Sequence, residues 1–285
     1  MAPERQRYAL ITGCGRGGIG EALAKTYMRR GISPIATVLP SEYSQHLSDA
    51  NITWFNLDVT SDESVRDLKA RVMEHTGGDL DFLVNNAGIC YTMPATDTDV
   101  AAAQNMFNVN VFGPMRMVHS FHDMIIGSKG TIVNIGSIGG IIPYVYGSSY
   151  NATKAALHHW SSTLRVEMAP FDVKVLTIIS GEVGTNFLQT DRNRELPKDS
   201  YYLPLATEFK EHVKRVPETV DRFIYAEKVV STSLRSSPPA WFWFGHASFL
   251  ARLIDAFAPR KFWDWLLWGM FKFDKLKSAH QKRRE

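Results

Sequence analysis

TGCGRGGIG, residues 12–20, places five glycines in nine positions, between the apolar run Tyr8-Ala9-Leu10-Ile11 and a helix-like segment, EALAKTYMRR, that begins at Glu21. A glycine loop leaving a strand and opening a helix can hold an anion. The first amides and the dipole of the helix point outward, and the missing Cβ atoms let a phosphate approach the backbone. The same glycines could also be a plain turn, so the rest of the chain has to supply the chemistry such a cradle would serve.

Outward from this loop, strand-like and helix-like segments alternate. Strands are predicted at Tyr8–Thr12, Ser33–Thr37, Ile52–Asn56, in DFLVNNAG, at Gly130–Gly136 and at Lys174–Ile179. Helices are predicted at Ile19–Arg30, over SDESVRDLKARVMEHT with Ser61 as N-cap, at Gln104–Ile126 and at Ser148–Ala169. That alternation implies an α/β fold, a doubly wound parallel sheet with helices on both faces. In such a sheet ligands sit beyond the carboxyl ends of the strands, which is where the glycine loop falls. No internal repeat or linker divides the chain.

With 285 residues, 45% of them hydrophobic, the chain can bury the core of one large domain. A net charge of +3 gives no reason to expect nucleic acid as a partner. Two cysteines, Cys14 and Cys90, make no disulfide framework and fit a reducing compartment. Charged residues run almost to the first strand, so no secretory signal is expected, and no apolar run reaches the ~18 residues of a spanning helix. His119 and His122 lack a third ligand nearby, so no metal site is expected. Cys90 has no base in sight and is read as a small apolar residue.

The segment SSYNATKAALHHW carries Tyr150 and Lys154 four residues apart, hence on one face of a helix. A tyrosine serves as general acid or base near neutral pH when its pKa falls, and a neighbouring ammonium favours the phenolate. Ser137 ends the strand TIVNIGS and so belongs at the same carboxyl edge as the glycine loop. A solvated helix face is the bland reading of Tyr150 and Lys154. Ser137, the glycine loop and NNAG together argue against it.

With these residues in place the chain resembles the short-chain dehydrogenase/reductase family over roughly residues 7–245. TGCGRGGIG, LDVT, NNAG, NVNVFG, NIGS and YNATK stand in that family's order and spacing. The resemblance implies a Rossmann-like fold, a nicotinamide cofactor and a catalytic tetrad of Asn110, Ser137, Tyr150 and Lys154. Ser137 would hold a substrate carbonyl and Tyr150 would donate the proton. Lys154 would grip the nicotinamide ribose and tune Tyr150, and Asn110 would position a relay water. The cofactor contacts it implies are Gly13, Gly18, Ile19 and Gly20 in the loop, Asp58 at the adenine, and Asn86, Ala87 and Gly88 along the middle. Tyr150, Lys154, Val183 and Thr185 would meet the nicotinamide end.

Three departures bear on this reading. The loop holds one extra residue, which makes Gly15 and Gly17 a bulge around Arg16. Ser180-Gly181 stands where many members have Pro-Gly, a change expected to alter only loop rigidity. The second strand ends in ATVLPSEY, with Val38 or Leu39 where NAD-preferring members put an acid. With no acid to repel a 2′-phosphate and Arg16 free to hold one, NADPH or NADP is expected rather than NAD. The extra glycine, KAALHHWSSTLRVEMAPFDVKV, LPKDSYY and KFDKLKSAHQK are similar to fungal reductases of the 1-acyldihydroxyacetone-phosphate reductase type, a group that also holds natural-product tailoring enzymes.

The expected activity is therefore NADPH-dependent reduction of a ketone on a hydrophobic, lipid-like or natural-product substrate. The alternatives are imine reduction or a guided cyclisation in the same pocket, and a cofactor-binding protein without turnover. The last would need a damaged tetrad, and all four residues are present. A substrate loop is placed at about residues 185–215, where Phe187, Leu188, Tyr201, Tyr202 and Leu203 suggest an apolar pocket. Arg192, Arg194 and Lys198 there either hold a phosphate or face solvent.

The domain is taken to span residues 1–245, with an aromatic and basic extension at 246–285. Five of the seven tryptophans fall in WFWFGHASFLARLIDAFAPRKFWDWLLWGMF, residues 241–271. Trp241 and Trp243 are assigned to the last strand. Trp263, Trp265 and Trp268, followed by Lys272, Lys275, Lys277, Lys282, Arg283 and Arg284, suit an interfacial anchor on an anionic membrane. The competing reading is that these aromatics cap the substrate pocket or bury a subunit interface. The expected setting is cytoplasmic, peripheral on endoplasmic reticulum or lipid-droplet membranes. The family resemblance implies a homodimer or higher homo-oligomer.

Overall fold

The computed structural model describes residues 5–282, apart from the side chains of Leu188 and Gln189; Arg283 and Arg284 of the basic tail lie outside the described residues. Strands β1 (Tyr8–Ile11), β2 (Ser33–Val38), β3 (Thr53–Asn56), β4 (Phe82–Asn85), β5 (Thr131–Ile135) and β6 (Lys174–Ser180) follow one another along the chain. Two short strands, β7 (Val183–Gly184) and β8 (Val220–Asp221), form a separate pair, and β9 (Trp241–Phe244) closes the main sheet. The order is β3-β2-β1-β4-β5-β6-β9, and every pairing is parallel. β4 and β5 are buried along their whole length, as interior strands covered on both faces must be, and Asn85 and Asn134 on them bond to each other. Strand order reverses between β1 and β4, which opens a cleft at their carboxyl ends.

The first helices are α1 (Ile19–Arg29), a single turn α2 (Gln45–Ser48) and α3 (Asp62–Thr76). α3 starts where expected: Ser61 Oγ accepts the Ser64 amide at 3.2 Å, and Gly77 ends the helix at φ 68°. The long helix expected at Gln104–Ile126 is in fact three pieces. They are α4 (Val100–Phe107), capped by Asp99 on the Ala101 amide at 2.9 Å, a π-helical turn at Asn108–Phe112, and α5 (Gly113–Gly127). The wide turn carries Asn110, and such bulges recur at functional positions. α6 (Ser148–Met168) matches its expected span to one residue. α7 (Ala206–Lys214) lies inside the expected substrate loop, and α8 (Arg222–Ser233) follows β8. The C-terminal residues fold as α9 (Ser248–Phe257), α10 (Lys261–Met270) and α11 (Phe273–Lys282).

Two apolar layers sandwich the sheet. α1 and α8 cover one face around Leu23, Tyr27, Tyr225 and Val229, while α3, α5 and α6 cover the other around Leu68, Phe121 and Leu164. Truncating a fully buried side chain such as Leu23 or Phe121 would cost about 2–5 kcal/mol. A third cluster lies away from the sheet. There Trp263, Leu267 and Phe271 pack on Met93, Tyr146, Phe209 and Val213, so one face of α10 is bound to the body of the fold. Trp263 therefore belongs to the capping reading rather than to the anchor.

Candidate active site

The glycine loop is built by close contact with β4. Gly13 has φ +70°, and a Cβ there would sit 2.8 Å from Ala87 Cα; a Cβ on Gly20 would run into the Gly13 carbonyl. Gly20 thus lies beneath the loop and lets α1 approach it, whereas Gly13, Arg16, Gly18 and Ile19 form part of a cavity wall. Gly15 to Gly18 is a turn closed by the Gly18 amide on the Gly15 carbonyl at 3.1 Å, with Gly17 at φ +79° and Arg16 exposed at its tip. The Gly17 amide is already held by Glu21 Oε2 at 2.7 Å. Burial alone would raise the Glu21 pKa, but its bonds to Lys25 and Gly17 hold it below the usual carboxylate range. The amides left to an anion are those that open α1, which have no intrahelical acceptor.

Asn86 braces this cradle. Its Nδ2 donates to the carbonyls of Thr12 (2.8 Å) and Gly13 (2.9 Å), and Thr12 Oγ1 accepts the amides of Asn86 and Ala87, both at 3.0 Å. Asp58 stands on the wall with Oδ1 accepting the Thr60 amide and hydroxyl at 2.9 and 2.7 Å. Ala87, Gly88, Val183 and Thr185 continue the same wall, around a cavity of about 890 Å³. A glycine cradle with open helix amides, an acid at one end and a catalytic helix at the other fits an extended dinucleotide.

One part of the sequence argument needs correction. β2 does end at Val38, with Leu39 just beyond it, but an acid is present four residues after the strand. A turn that closes with the Glu42 amide on the Leu39 carbonyl (2.9 Å) brings the Glu42 carboxylate back over the loop. Its Oε2 accepts the Leu39 amide at 3.2 Å, and its Oε1 lies 3.3 Å from where a Gly15 Cβ would be. Glu42 and Arg16 therefore face the same end of the cleft with opposite charge.

The four candidate catalytic residues meet at the other end. A Cβ on Gly139 would lie 3.3 Å from both Ser137 Oγ and Tyr150 Cε1, so these side chains converge. Ser137 Oγ accepts the Gly139 amide at 3.0 Å, which leaves its hydroxyl proton free to be donated. Lys154 Nζ lies 5.7 Å from the Tyr150 ring centre and donates to the Ile135 carbonyl at 2.9 Å. Asn110 is buried behind Gly88. Its Oδ1 accepts the Ile89 amide at 2.9 Å, and its Nδ2 donates to the Ile89 carbonyl at 2.9 Å and to Thr153 Oγ1 at 3.0 Å. Asn110 is not itself part of the cavity wall.

Titration behaviour differs from the sequence expectation. Burial pushes the Tyr150 phenol up, against a smaller downward pull from its hydrogen bond with Ser137. Burial lowers Lys154 to about 8. In this geometry desolvation dominates, and Tyr150 is held as a neutral phenol. Cys90, on the wall beside it, is raised to about 12 by burial with a further push from Asp191, so it is no thiolate nucleophile.

His158 was given no role in the sequence reading. It is 3% exposed, and its Nε2 accepts the Ser137 amide at 3.2 Å. Burial, together with the nearby Lys154 charge, lowers it to about 3, so the ring is neutral and its Nε2 remains an acceptor. The only cue in the sequence was its place four residues after Lys154 on the same helix face. Ser180, read in the sequence only as a departure from Pro-Gly, has a buried partner. Its Oγ lies 2.5 Å from the buried Tyr225 hydroxyl, a partnership that proline could not make, so the departure from Pro-Gly does more than change loop rigidity.

The segment after β7 lies across the cavity. Asn186 Nδ2 donates to the Arg16 carbonyl at 3.2 Å, and the Phe187 ring is 6.1 Å from that of Tyr150. Asp191 fastens the segment to the loop after β4: Oδ2 accepts the Thr92 amide at 2.7 Å, and Oδ1 accepts Arg194 Nη2 at 2.6 Å. Arg194 also lies over the Tyr91 ring at 4.1 Å, so it serves this clasp; neither Arg192, Arg194 nor Lys198 is on the cavity wall. At the far end the wall is apolar, made by Ile142, Val145, Ile254, Trp263, Leu266 and Met270. Among the described residues no group of three or more His, Cys, Asp or Glu could hold a metal.

Residues 7–196 match the family model for short chain dehydrogenases. The chain is 66% identical over 278 residues to the short-chain dehydrogenase fogD of Aspergillus ruber, covering 97% of each chain. It is 37% identical over 229 residues to the NADPH-dependent 1-acyldihydroxyacetone phosphate reductase of Schizosaccharomyces pombe, covering 79% of this chain and 76% of that one. Its fold is similar to the closed form of serine dehydrogenase complexed with NADP+, with a TM-score of 0.71 and 26% identity over 84% of this chain and 94% of the other.

Proposed function

This chain belongs to the short-chain dehydrogenases, and we propose that it uses NADPH to reduce a ketone on a hydrophobic substrate. The observation that carries the reading is the convergence of Ser137 and Tyr150 beside an apolar wall supplied largely by α9 and α10. NADPH, when bound, supplies the hydride. The residues that would hold it are Gly13, Gly18 and Ile19 at the phosphates, Arg16 at the adenosine end, and Lys154 and Thr185 at the nicotinamide end.

Ser137 and Tyr150 donate hydrogen bonds to the carbonyl oxygen, which polarises it and stabilises the charge that builds there. Tyr150 then gives up its proton to that oxygen and the alcohol forms. A phenol held neutral by burial is in the right form for this step. Lys154 balances the phenolate left behind, and Asn110 fixes the backbone at Ile89 beside it. His158 orients Ser137 through its amide. The same reading includes a homodimer through α4–α6, where Val100, Phe112 and Val166 are exposed apolar side chains.

Two measurements test it. In a series of ketones of growing alkyl length, kcat/KM with NADPH should rise about fourfold per methylene until the wall is filled. Tyr150→Phe should lower kcat by 10²–10⁴-fold while NADPH binding, followed by fluorescence, stays near wild type. A flat chain-length profile, or near wild-type turnover in Tyr150→Phe, would overturn the proposal.

A further inference from the structure

α10 is apolar on both sides. Trp263 and Leu267 face the body of the enzyme, whereas Trp265 is 72% exposed and Met270 58%. α9 buries little beyond Ser248 and Ala251 and leaves Phe249, Leu250, Leu253 and Phe257 in solvent. A single exposed leucine means nothing. A run of this size across two adjacent helices marks a surface that meets something apolar.

Two further observations say what it meets. Leu250 and Met270 are exposed and are also part of the cavity wall, so the exposed apolar surface meets the cavity at these two side chains. The charges along residues 248–282 are seven lysines and arginines against three aspartates. Lys272 and Lys275 pair with Glu208, and Arg252, Arg260 and Lys261 are exposed around the patch. A second copy of this chain seated on the patch about a two-fold axis would cover the cavity mouth. An anionic lipid surface would accept both the cations and the aromatic side chains. No described helix is long and apolar enough to cross a membrane, so the contact lies in the interface plane.

We propose that α9 and α10 seat the cavity mouth on an anionic lipid surface and that the substrate enters from the lipid phase. The second clause rests on the hydrophobic-substrate reading above; the first does not, since it is tested without substrate.

The test is co-sedimentation of the full chain with phosphatidylcholine vesicles, with and without phosphatidylserine. Wild type should bind the mixed vesicles, lose binding at high salt, and shift its tryptophan emission to the blue. Phe257→Ser and Trp265→Ser should each weaken vesicle binding about tenfold or more. Neither residue is on the cavity wall, so turnover of a water-soluble ketone should be unchanged. Arg260→Glu with Lys261→Glu should abolish the preference for phosphatidylserine. The proposal is overturned if wild type ignores both kinds of vesicle. It is equally overturned if the serine variants bind as wild type does, or if they change only the molar mass in light scattering, which would make the patch a contact between copies. Circular dichroism and NADPH binding of each variant establish that it is folded.

Discussion

Glu42 lies over Gly15, its carboxylate 3.3 Å from the position a side chain there would first occupy, at the same end of the cleft as the exposed guanidinium of Arg16. An acid in such a place can accept ribose hydroxyls and repel a 2′-phosphate, while Arg16 does the opposite. Cofactor preference is then a balance between two side chains. Arg16→Ala should raise KM for NADPH about tenfold to a hundredfold, the loss of one charge-assisted contact, and leave KM for NADH nearly unchanged. Glu42→Gln should move preference further toward NADPH. The ratio of kcat/KM for the two cofactors checks both; a ratio that neither substitution moves would mean that neither side chain reads the phosphate.

Lys154 should cost the unliganded fold stability at neutral pH. Burial lowers it from 10.5 to about 8, so between those values the unfolded chain holds more protons than the folded one, and stability rises with pH. Below pH 8 the full penalty applies, about 3 kcal/mol, offset by about 1 kcal/mol from the bond to Ile135. Lys154→Met should therefore stabilise the unliganded protein by about 2 kcal/mol at pH 7, with the gain shrinking as pH rises from 8 toward 10.5. Urea unfolding at a series of pH values measures this. A variant less stable than wild type at pH 7 would contradict it.

Ser180 and Tyr225 should behave as one unit. Both are buried, and each hydroxyl is the other's neighbour at 2.5 Å. Ser180→Ala strands the phenol and should cost about 1–3 kcal/mol. Tyr225→Phe in the same background removes the stranded group, so the double variant should be less destabilised than the two single losses added together. A double-mutant cycle by thermal or urea unfolding decides; strict additivity would mean that the pair is not coupled.

What could be read from the sequence was whatever local spacing fixes. Tyr150 and Lys154 share a face because they are four apart on a helix, and Ser137 reaches the same edge because it ends a strand. Glu42 was not legible because its position depends on a turn that folds back, and strand periodicity says nothing about turns. His158 acts through the amide of a residue 21 positions earlier, and Ser180 through a hydroxyl 45 positions later. The C-terminal aromatics defeated the reading for another reason. α10 is apolar around most of its circumference, so no contrast between faces showed which tryptophans pack and which are bare.

The wall formed by α9 and α10 also bears on synthesis. The sheet is complete once Phe244 has been made, yet the apolar end of the cavity still lacks Ile254, Trp263, Leu266 and Met270. Folding that proceeds from the N-terminus on the ribosome passes through a stage with the cofactor cleft and the tetrad assembled. At that stage Tyr146, Phe209 and Val213 lack the cover of Trp263, Leu267 and Phe271. The newborn enzyme therefore presents an open apolar flank for as long as the last helices take to emerge.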